Sequence, residues 1–145
     1  MAKRLRCDTR GQALVEFVAS LFVLLVILAG LIFFGRVLYV RIGLDMASYD
    51  GVRAASAALD ASAGITQGRV AALSTLVGFG LDASDAVVTV ASVGAWERGA
   101  QVYCRVSYNL SVADVPFVAA FFSGVSVSLE SRSWSRVETH RSEWP

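Results

Sequence analysis

The chain has 145 residues, of which 55% are hydrophobic and 17% are charged, and its formal net charge is +1 at pH 7. This length fits one ordinary domain, and the near-neutral charge argues against nucleic acid as a partner, because phosphate binding needs a concentrated basic surface. The mean hydropathy of +0.57 is high for a soluble protein, and most of the excess lies in the first third of the chain.

A short basic leader opens the chain. Residues 1–11 are polar, and their basic side chains are Lys3, Arg4, Arg6 and Arg10. Such a cluster before an apolar run keeps the N-terminus on the cytoplasmic side and sends the C-terminal part outward. Arg36 and Arg41 oppose this rule, but acidic residues lie near them. The sequence therefore favours a cytoplasmic N-terminus.

One long helix is predicted over residues 12–61, because no proline interrupts this stretch. From Phe17 to Gly35, about 19 residues carry no charge, close to the ~20 needed to cross ~30 Å of hydrocarbon. Apolar side chains occur on all sides of this part of the helix, as lipid or tight packing requires. We therefore place a transmembrane span at about residues 14–35.

Beyond Gly35 the helix becomes amphipathic. Its polar side repeats every four residues, at Arg41, Asp45, Tyr49 and Arg53. About 200° away lies a stripe of small residues, formed by Gly43, Ala47, Gly51 and Ala55. Two alternatives stay open for this stripe: packing against the protein's own C-terminal domain, or close approach to the helices of neighbouring subunits. Glycine in a helix costs about 1 kcal/mol relative to alanine, so a packing reason is expected in either case.

After the long helix, residues 62–138 are predicted to form a small extracytoplasmic α+β domain. A turn region is expected from Ala61 to Gly68. A short helix is expected from about Gln67 to Val77, with one apolar face made by Val70, Leu73 and Val77. Gly78 and Gly80 would end it.

Three strand candidates follow, and they predict a small antiparallel sheet. Residues 86–93 are rich in Val and Thr and are closed by a loop over residues 94–99. In residues 101–112 apolar and polar side chains alternate, which predicts one buried and one wet face. In the third strand the apolar residues Val125, Val127 and Leu129 alternate with Ser126, Ser128 and Glu130.

Between the last two strands, Asp114 and Pro116 are typical of a helix start. The segment Phe117–Phe122 is expected to be a short helix lying against the sheet, with an exposed apolar patch or a membrane-surface contact as the alternative. Residues 139–145 are polar and are expected to fray.

No pattern in the sequence indicates catalysis, a metal site or a cofactor. His140 is the only histidine, so one chain cannot build a His-based triad or a multi-histidine metal site. Cys7 lies in the leader, and Cys104 is expected to be a small apolar residue in a strand. Asp82 and Asp85 flank a turn and are typical of loops or helix caps.

The informative motif lies where the leader meets the apolar helix. Gly11 is followed by Gln12, and five residues after the glycine comes Glu16, then Phe17. Glycine offers a slim backbone that a protease cleft can grip, and a cut after Gly11 would create a free α-amine on Gln12. A carboxylate inside a membrane helix costs about 2.5–3.5 kcal/mol. We therefore expect Glu16 to pair with the α-amine of an adjacent subunit.

The segment Arg10–Phe17, the apolar span, Phe34–Arg36 and Ala54–Ala55 resemble the TadE-like family of tight-adherence (Tad/Flp) pilus proteins. The stretch Val125–Ser131 is similar to that family's last strand. The resemblance implies an inner-membrane pseudopilin or minor pilin in a lipid bilayer. It further implies processing by a prepilin peptidase, and action with other pilins or pseudopilins and with the pilus assembly machinery.

By the same resemblance Gly11 precedes the cut, Gln12 is the first mature residue, and Glu16 is the acid at mature position five. Two roles stay open, a minor subunit in the fibre and an assembly factor that primes the filament at the membrane. The outward face of the second strand, with Tyr103 and Arg105, is a hypothetical contact for another pseudopilin. The alternative function is an unprocessed, single-pass membrane-anchored extracytoplasmic interaction protein.

Overall fold

The long helix α1 dominates the computed structural model, which describes residues 9–112, 124 and 126–138. It runs over Thr9–Ser56 without a break. The remaining elements are the helix α2 (Ala61–Gly78), a short 3-10 helix (Ala83–Asp85) and the strands β1 (Ala86–Ser92), β2 (Gln101–Ser111) and β3 (Ser126–Arg136). The strands form an antiparallel sheet in the order β1-β2-β3. The predicted α+β class, with a long N-terminal helix, a second helix and three strands, is confirmed.

The C-terminal half of α1 and all of α2 form one layer, and the sheet forms the other. α1 packs against β2 and β3, whereas α2 packs against α1 and β1. β2 lies nearly along α1. Its start is next to the end of the helix, where the Glu138 N–H donates to the Ser56 carbonyl over 3.1 Å, and beyond its other end Val112 packs against Ala29 and Phe33.

The alternation in β2 is confirmed side chain by side chain. The inward positions of the strand are all buried, namely Val102, Cys104, Val106, Tyr108 and Leu110, and so is Val112 directly after it. The intervening polar positions are exposed or half-buried. This pattern follows from strand geometry, because successive side chains point to opposite faces and one face here covers the helices.

The prediction for the end of α1 and for residues 61–68 was wrong. α1 ends at Ser56 rather than at about Ala61, and Ala61 instead begins α2. The Asp60 carboxylate caps α2 by accepting hydrogen bonds from the Ala63 N–H at 2.8 Å and the Ser62 hydroxyl at 2.7 Å. A side-chain acceptor at this position satisfies an N–H that has no partner within the helix. The two bonds also lower the pKa of Asp60 below its ordinary 3.8.

The predicted apolar face of the second helix was wrong at two of its three residues, whereas Leu73 is half-buried and packs against the core. Val70 and Val77 are each 61% exposed. The buried face consists of mostly small residues spaced by four, Gly64, Gly68, Ala72 and Leu76. Small side chains are selected there because α2 approaches α1 more closely than larger side chains permit.

β3 continues past the predicted apolar alternation and ends at Arg136. Asp82 is confirmed as a cap residue, because its carboxylate accepts from the Ser84 N–H at 2.9 Å at the start of the 3-10 helix. Several predictions lie outside the described residues: the leader up to residue 8, the helix start at Asp114, the segment Phe117–Phe122, Val125, His140 and the tail over residues 139–145.

Candidate functional site on the N-terminal helix

Residues 11–28 of α1 are almost uncovered by the rest of the described structure. In residues 11–28 only Val26 is half-buried and every other residue is exposed. Large apolar side chains are among them, with Leu14 at 66% and Phe17 at 67% exposure. By length and composition this is one helix able to cross a membrane, and only 6% of its most apolar window is buried. The core helix of a soluble protein would be mostly buried instead.

The predicted cleavage position lies in the first turns of α1. Gly11 and Gln12 are both exposed, and α1 begins two residues earlier, at Thr9. A Cβ added at Gly11 would meet no atom within 4 Å, and the same holds at Gly30 and Gly35. Packing within the described chain therefore gives no reason for a glycine at position 11.

Glu16 lies on the exposed surface of the same helix, next to exposed Phe17. Among the described residues no hydrogen bond or ion pair reaches its carboxylate. Gln12 stands four residues earlier, so the two positions share one helix face and differ by about 6 Å along the axis. Gln12, which would carry the predicted amine, and Glu16 thus lie on the same exposed face of α1.

The small-residue stripe of α1 has a different environment. Gly43, Ala47, Gly51 and Ala55 are all buried by the protein's own α2, the residues that follow it, and the sheet. A Cβ at Gly51 would lie 2.7 Å from the Cys104 Sγ and 3.0 Å from the Gly68 carbonyl oxygen. A Cβ at Gly68 would lie 2.8 Å from the Gly51 carbonyl oxygen. Of the two alternatives for the stripe, the structure shows the intramolecular one.

The polar side of α1 faces away from this contact. Arg41, Asp45, Tyr49 and Arg53 are all exposed. The same side also carries large apolar groups outside the span, because Leu38, Ile42 and Met46 are 48–53% exposed. An apolar strip thus continues from the bare half of α1 along the surface opposite the domain.

A polar contact that the sequence did not predict joins α1 to β3. The Ser48 hydroxyl lies 3.1 Å from the Ser131 hydroxyl and 2.8 Å from the Ser133 hydroxyl. It also donates toward the Asp45 carbonyl at 3.0 Å. These hydroxyls explain why the inner face of β3 loses its apolar alternation after Leu129.

Cys104 lies at the crossing of α1, α2 and the sheet. It is fully buried and forms no disulfide within the described residues, as expected for a small apolar residue in a strand. Burial raises the pKa of its thiol to about 11, since the thiolate would lose its hydration. Cys7 lies outside the described residues.

The outer face of the sheet carries an aromatic and basic cluster. The rings of Tyr103 and Trp134 lie 5.1 Å apart. The Arg132 guanidinium is 5.2 Å from the centre of the first ring and 5.6 Å from the second. Beside them the Arg105 Nε and a Glu130 oxygen form an ion pair at 3.0 Å, although the N–H direction falls short of hydrogen-bond geometry. The described residues contain no group of metal-binding side chains.

Comparison with known proteins places the similarity on α1. The family model described as TadE-like protein matches residues 11–53. This match begins at Gly11, includes Glu16 and lies entirely within α1. No curated protein and no solved structure matches the chain. The likeness of Val125–Ser131 to the family's last strand lies outside the match and stays a prediction. The resemblance predicted from the N-terminal motif is confirmed over residues 11–53, where the chain is similar to TadE-like proteins.

Proposed function

We propose that this protein is a pseudopilin or minor pilin of a tight-adherence pilus, cleaved by a prepilin peptidase after Gly11 and assembled through α1. It is a non-enzymatic, single-pass protein of the cytoplasmic membrane. Its N-terminus faces the cytoplasm and its α+β domain lies outside. Its partners are the peptidase, other pilins or pseudopilins, the assembly machinery and the lipid bilayer.

The observation that carries this proposal is the combination, on one exposed apolar helix, of a glycine without packing contacts and an acid without a partner among the described residues. A glycine inside a helix costs about 1 kcal/mol relative to alanine, and Gly11 contacts nothing that would require it. The exposed Glu16 adds the cost of a carboxylate in hydrocarbon. Binding in a peptidase cleft accounts for Gly11, and pairing with the amine of a cleaved neighbouring subunit accounts for Glu16.

The buried small-residue stripe supports this assignment by elimination. Since Gly43, Ala47, Gly51 and Ala55 are occupied by the domain, contacts with neighbouring subunits have to use the other side of α1. That side is the strip with Leu38, Ile42 and Met46, which is continuous with the exposed face around Glu16. One helix can therefore hold its own domain on one side and assemble through the other.

The decisive experiment is the N-terminal sequence of the mature protein isolated from cells that contain the peptidase. We expect it to begin at Gln12. A chain that still begins at Met1 would instead favour the unprocessed membrane anchor.

Replacement of Gly11 by leucine tests the cleavage site directly. Gly11→Leu should leave the full-length precursor in the membrane, as judged by the intact mass. Gly35→Leu is a matched control, because an added Cβ there also meets no atom within 4 Å, and it should be cleaved normally. Normal cleavage of Gly11→Leu would show that the bond between Gly11 and Gln12 is not the cleavage site.

Replacement of Glu16 by valine tests the role of the acid. Glu16→Val should still be cleaved but should fail to assemble with its partners, because the neighbouring amine loses its counter-charge. Leu24→Val, at another exposed position of the same span, controls for a change in helix surface. Pili in equal number from Glu16→Val and the parent would show that the acid has another role.

A further inference from the structure

The proposed membrane span overlaps with the part of α1 that the domain covers. The span predicted from the sequence extends to about residue 35, but the domain already covers the helix at Ala29, which is 3% exposed. Val112, just beyond the end of β2, packs on Ala29, and Phe33 is half-buried beside them. The outward end of the span is thus partly enclosed by the protein's own sheet.

The depth of this contact follows from the helix rise. If the uncharged stretch from Phe17 to Gly35 fills the hydrocarbon, it takes up about 27 Å of the ~30 Å available, and Ala29 lies about 9 Å below its outer end. If the hydrocarbon begins as far toward the cytoplasm as Gly11, Ala29 still lies only about 27 Å along it. In both placements the contact with Val112 falls within the hydrocarbon layer or at its outer boundary.

The composition of the sheet near this contact suits such a position. In β2 the last charged side chain is Arg105, and in β3 the first is Glu130, so residues 106–112 and 126–129 carry no charge. Arg132, Arg136 and Glu138 lie toward the other end of β3, whereas Asp82 and Asp85 flank the start of β1 at this end. In the sequence, Asp114 follows soon after β2, which argues for contact near the headgroups rather than deep in the bilayer.

The neighbouring surface of α1 carries residues typical of a membrane interface. Tyr39 donates its hydroxyl to the Phe79 carbonyl at 3.1 Å, and the two rings lie 5.7 Å apart. The Arg36 guanidinium lies 5.6 Å from the centre of the Tyr39 ring. Tyrosine and arginine are favoured where hydrocarbon meets headgroups. These residues stand directly beyond the uncharged stretch.

We propose that the proximal sheet end, defined as residues 110–112 and 126–128, contacts lipid of the extracytoplasmic leaflet while α1 is in the membrane. Its exposed positions Ser126 and Ser128 make this contact, whereas Leu110 and Val112 are buried inside the protein. This inference rests on the proposed insertion of α1. The partner is the bilayer itself. The domain then contacts the membrane surface directly, instead of being separated from it by an exposed length of α1.

Spin labels at three positions test this contact in full-length protein reconstituted into phosphatidylcholine and phosphatidylglycerol vesicles. Leu24 reports on insertion of α1, Ser126 on the proximal sheet end, and Arg136 on the opposite end of the same strand. Each is replaced by cysteine in a Cys7→Ser background and labelled with a nitroxide. Cys104 stays in place because it is fully buried, and the background protein measures any labelling of it.

The readout is the ratio of collisions with oxygen, which concentrates in lipid, to collisions with a water-soluble nickel complex. We expect a high ratio at Leu24, a low ratio at Arg136, and a ratio at Ser126 severalfold above that at Arg136. A high ratio at Leu24 with equal low ratios at Ser126 and Arg136 would overturn the lipid contact but leave insertion intact. Low ratios at all three positions would overturn insertion and the lipid contact together.

Discussion

Gly68 lies where α2 approaches the backbone of α1 closely. A Cβ in Gly68→Ala would lie 2.8 Å from the Gly51 carbonyl oxygen and 3.0 Å from the Ala55 Cβ. Both atoms belong to or adjoin the backbone of α1, so they yield only if the helices separate. Separation also stretches the hydrogen bond from Thr75 to Asp50, which is 2.7 Å long.

The size of the effect is a difference of two terms. Overpacking a tight site costs about 1–3 kcal/mol, and alanine regains about 1 kcal/mol of helix propensity. We expect Gly68→Ala to lower the free energy of unfolding by about 1–2 kcal/mol, the overpacking term being near its upper end because backbone atoms are involved. Gly35→Ala has the same propensity gain without any contact within 4 Å, and it should be as stable as the parent or more so.

The assay is guanidinium unfolding in a mild detergent, followed by tryptophan fluorescence. The comparison of Gly68→Ala with Gly35→Ala removes the helix-propensity term, so the difference between the two variants measures the contact alone. If Gly68→Ala proves as stable as Gly35→Ala, the helices do not approach as closely as described and the account of the small-residue stripes fails.

Three further changes probe other contacts. Ser48→Ala removes a shared partner of two hydroxyls and should cost about 1–3 kcal/mol in the same unfolding assay, whereas exposed Ser128→Ala should be neutral. The pKa of Cys104 is raised from 9.0 to about 11 in the folded protein, so its contribution to stability is complete below pH 9 and is lost as the pH rises toward 11. In Cys104→Ala this loss of stability between pH 9 and 11 should vanish, and the same loss as in the parent would contradict the prediction. Because the pKa of Asp60 is lowered, its contribution is present above pH 3.8 and is lost as the pH falls through the lowered value; Asp60→Asn keeps a cap but should show a weaker acid-induced loss of stability in a pH titration of unfolding.

Local patterns predicted those parts of the fold in which one side of an element meets water. β2 alternates because a strand with one buried face has to alternate, and Arg41 and Tyr49 marked the exposed side of α1 correctly. The bare apolar half of α1 was equally visible, since composition alone distinguishes it. The motif from Gly11 to Phe17 predicted the family match, because it depends on residue types and spacing rather than on tertiary contacts.

Predictions from the sequence failed where tertiary contacts determine which residues are buried or where a helix ends. Apolar periodicity pointed to Val70 and Val77 as the buried face of α2, but a close helix crossing buries small residues and leaves larger ones outside. The end of α1 has no proline or glycine to mark it. It is fixed by the Asp60 cap and by the bond from Glu138 to Ser56, which lie far apart in the chain. The polar inner face of β3 likewise makes sense only once Ser48 is known to lie opposite.

The continuity of α1 has a mechanical consequence. The helix has 48 residues and no break, so at 1.5 Å per residue it is a rod of about 70 Å. Its outer part is clamped along much of its length by α2 and two strands, and its inner part is free. A pull or twist applied near Glu16 therefore passes to the domain as a rigid-body movement, with no loop between them to absorb it. Gly30 and Gly35, where an added Cβ would meet no atom within 4 Å, lie where the domain begins to cover α1 and are the points at which such a load would bend the helix first.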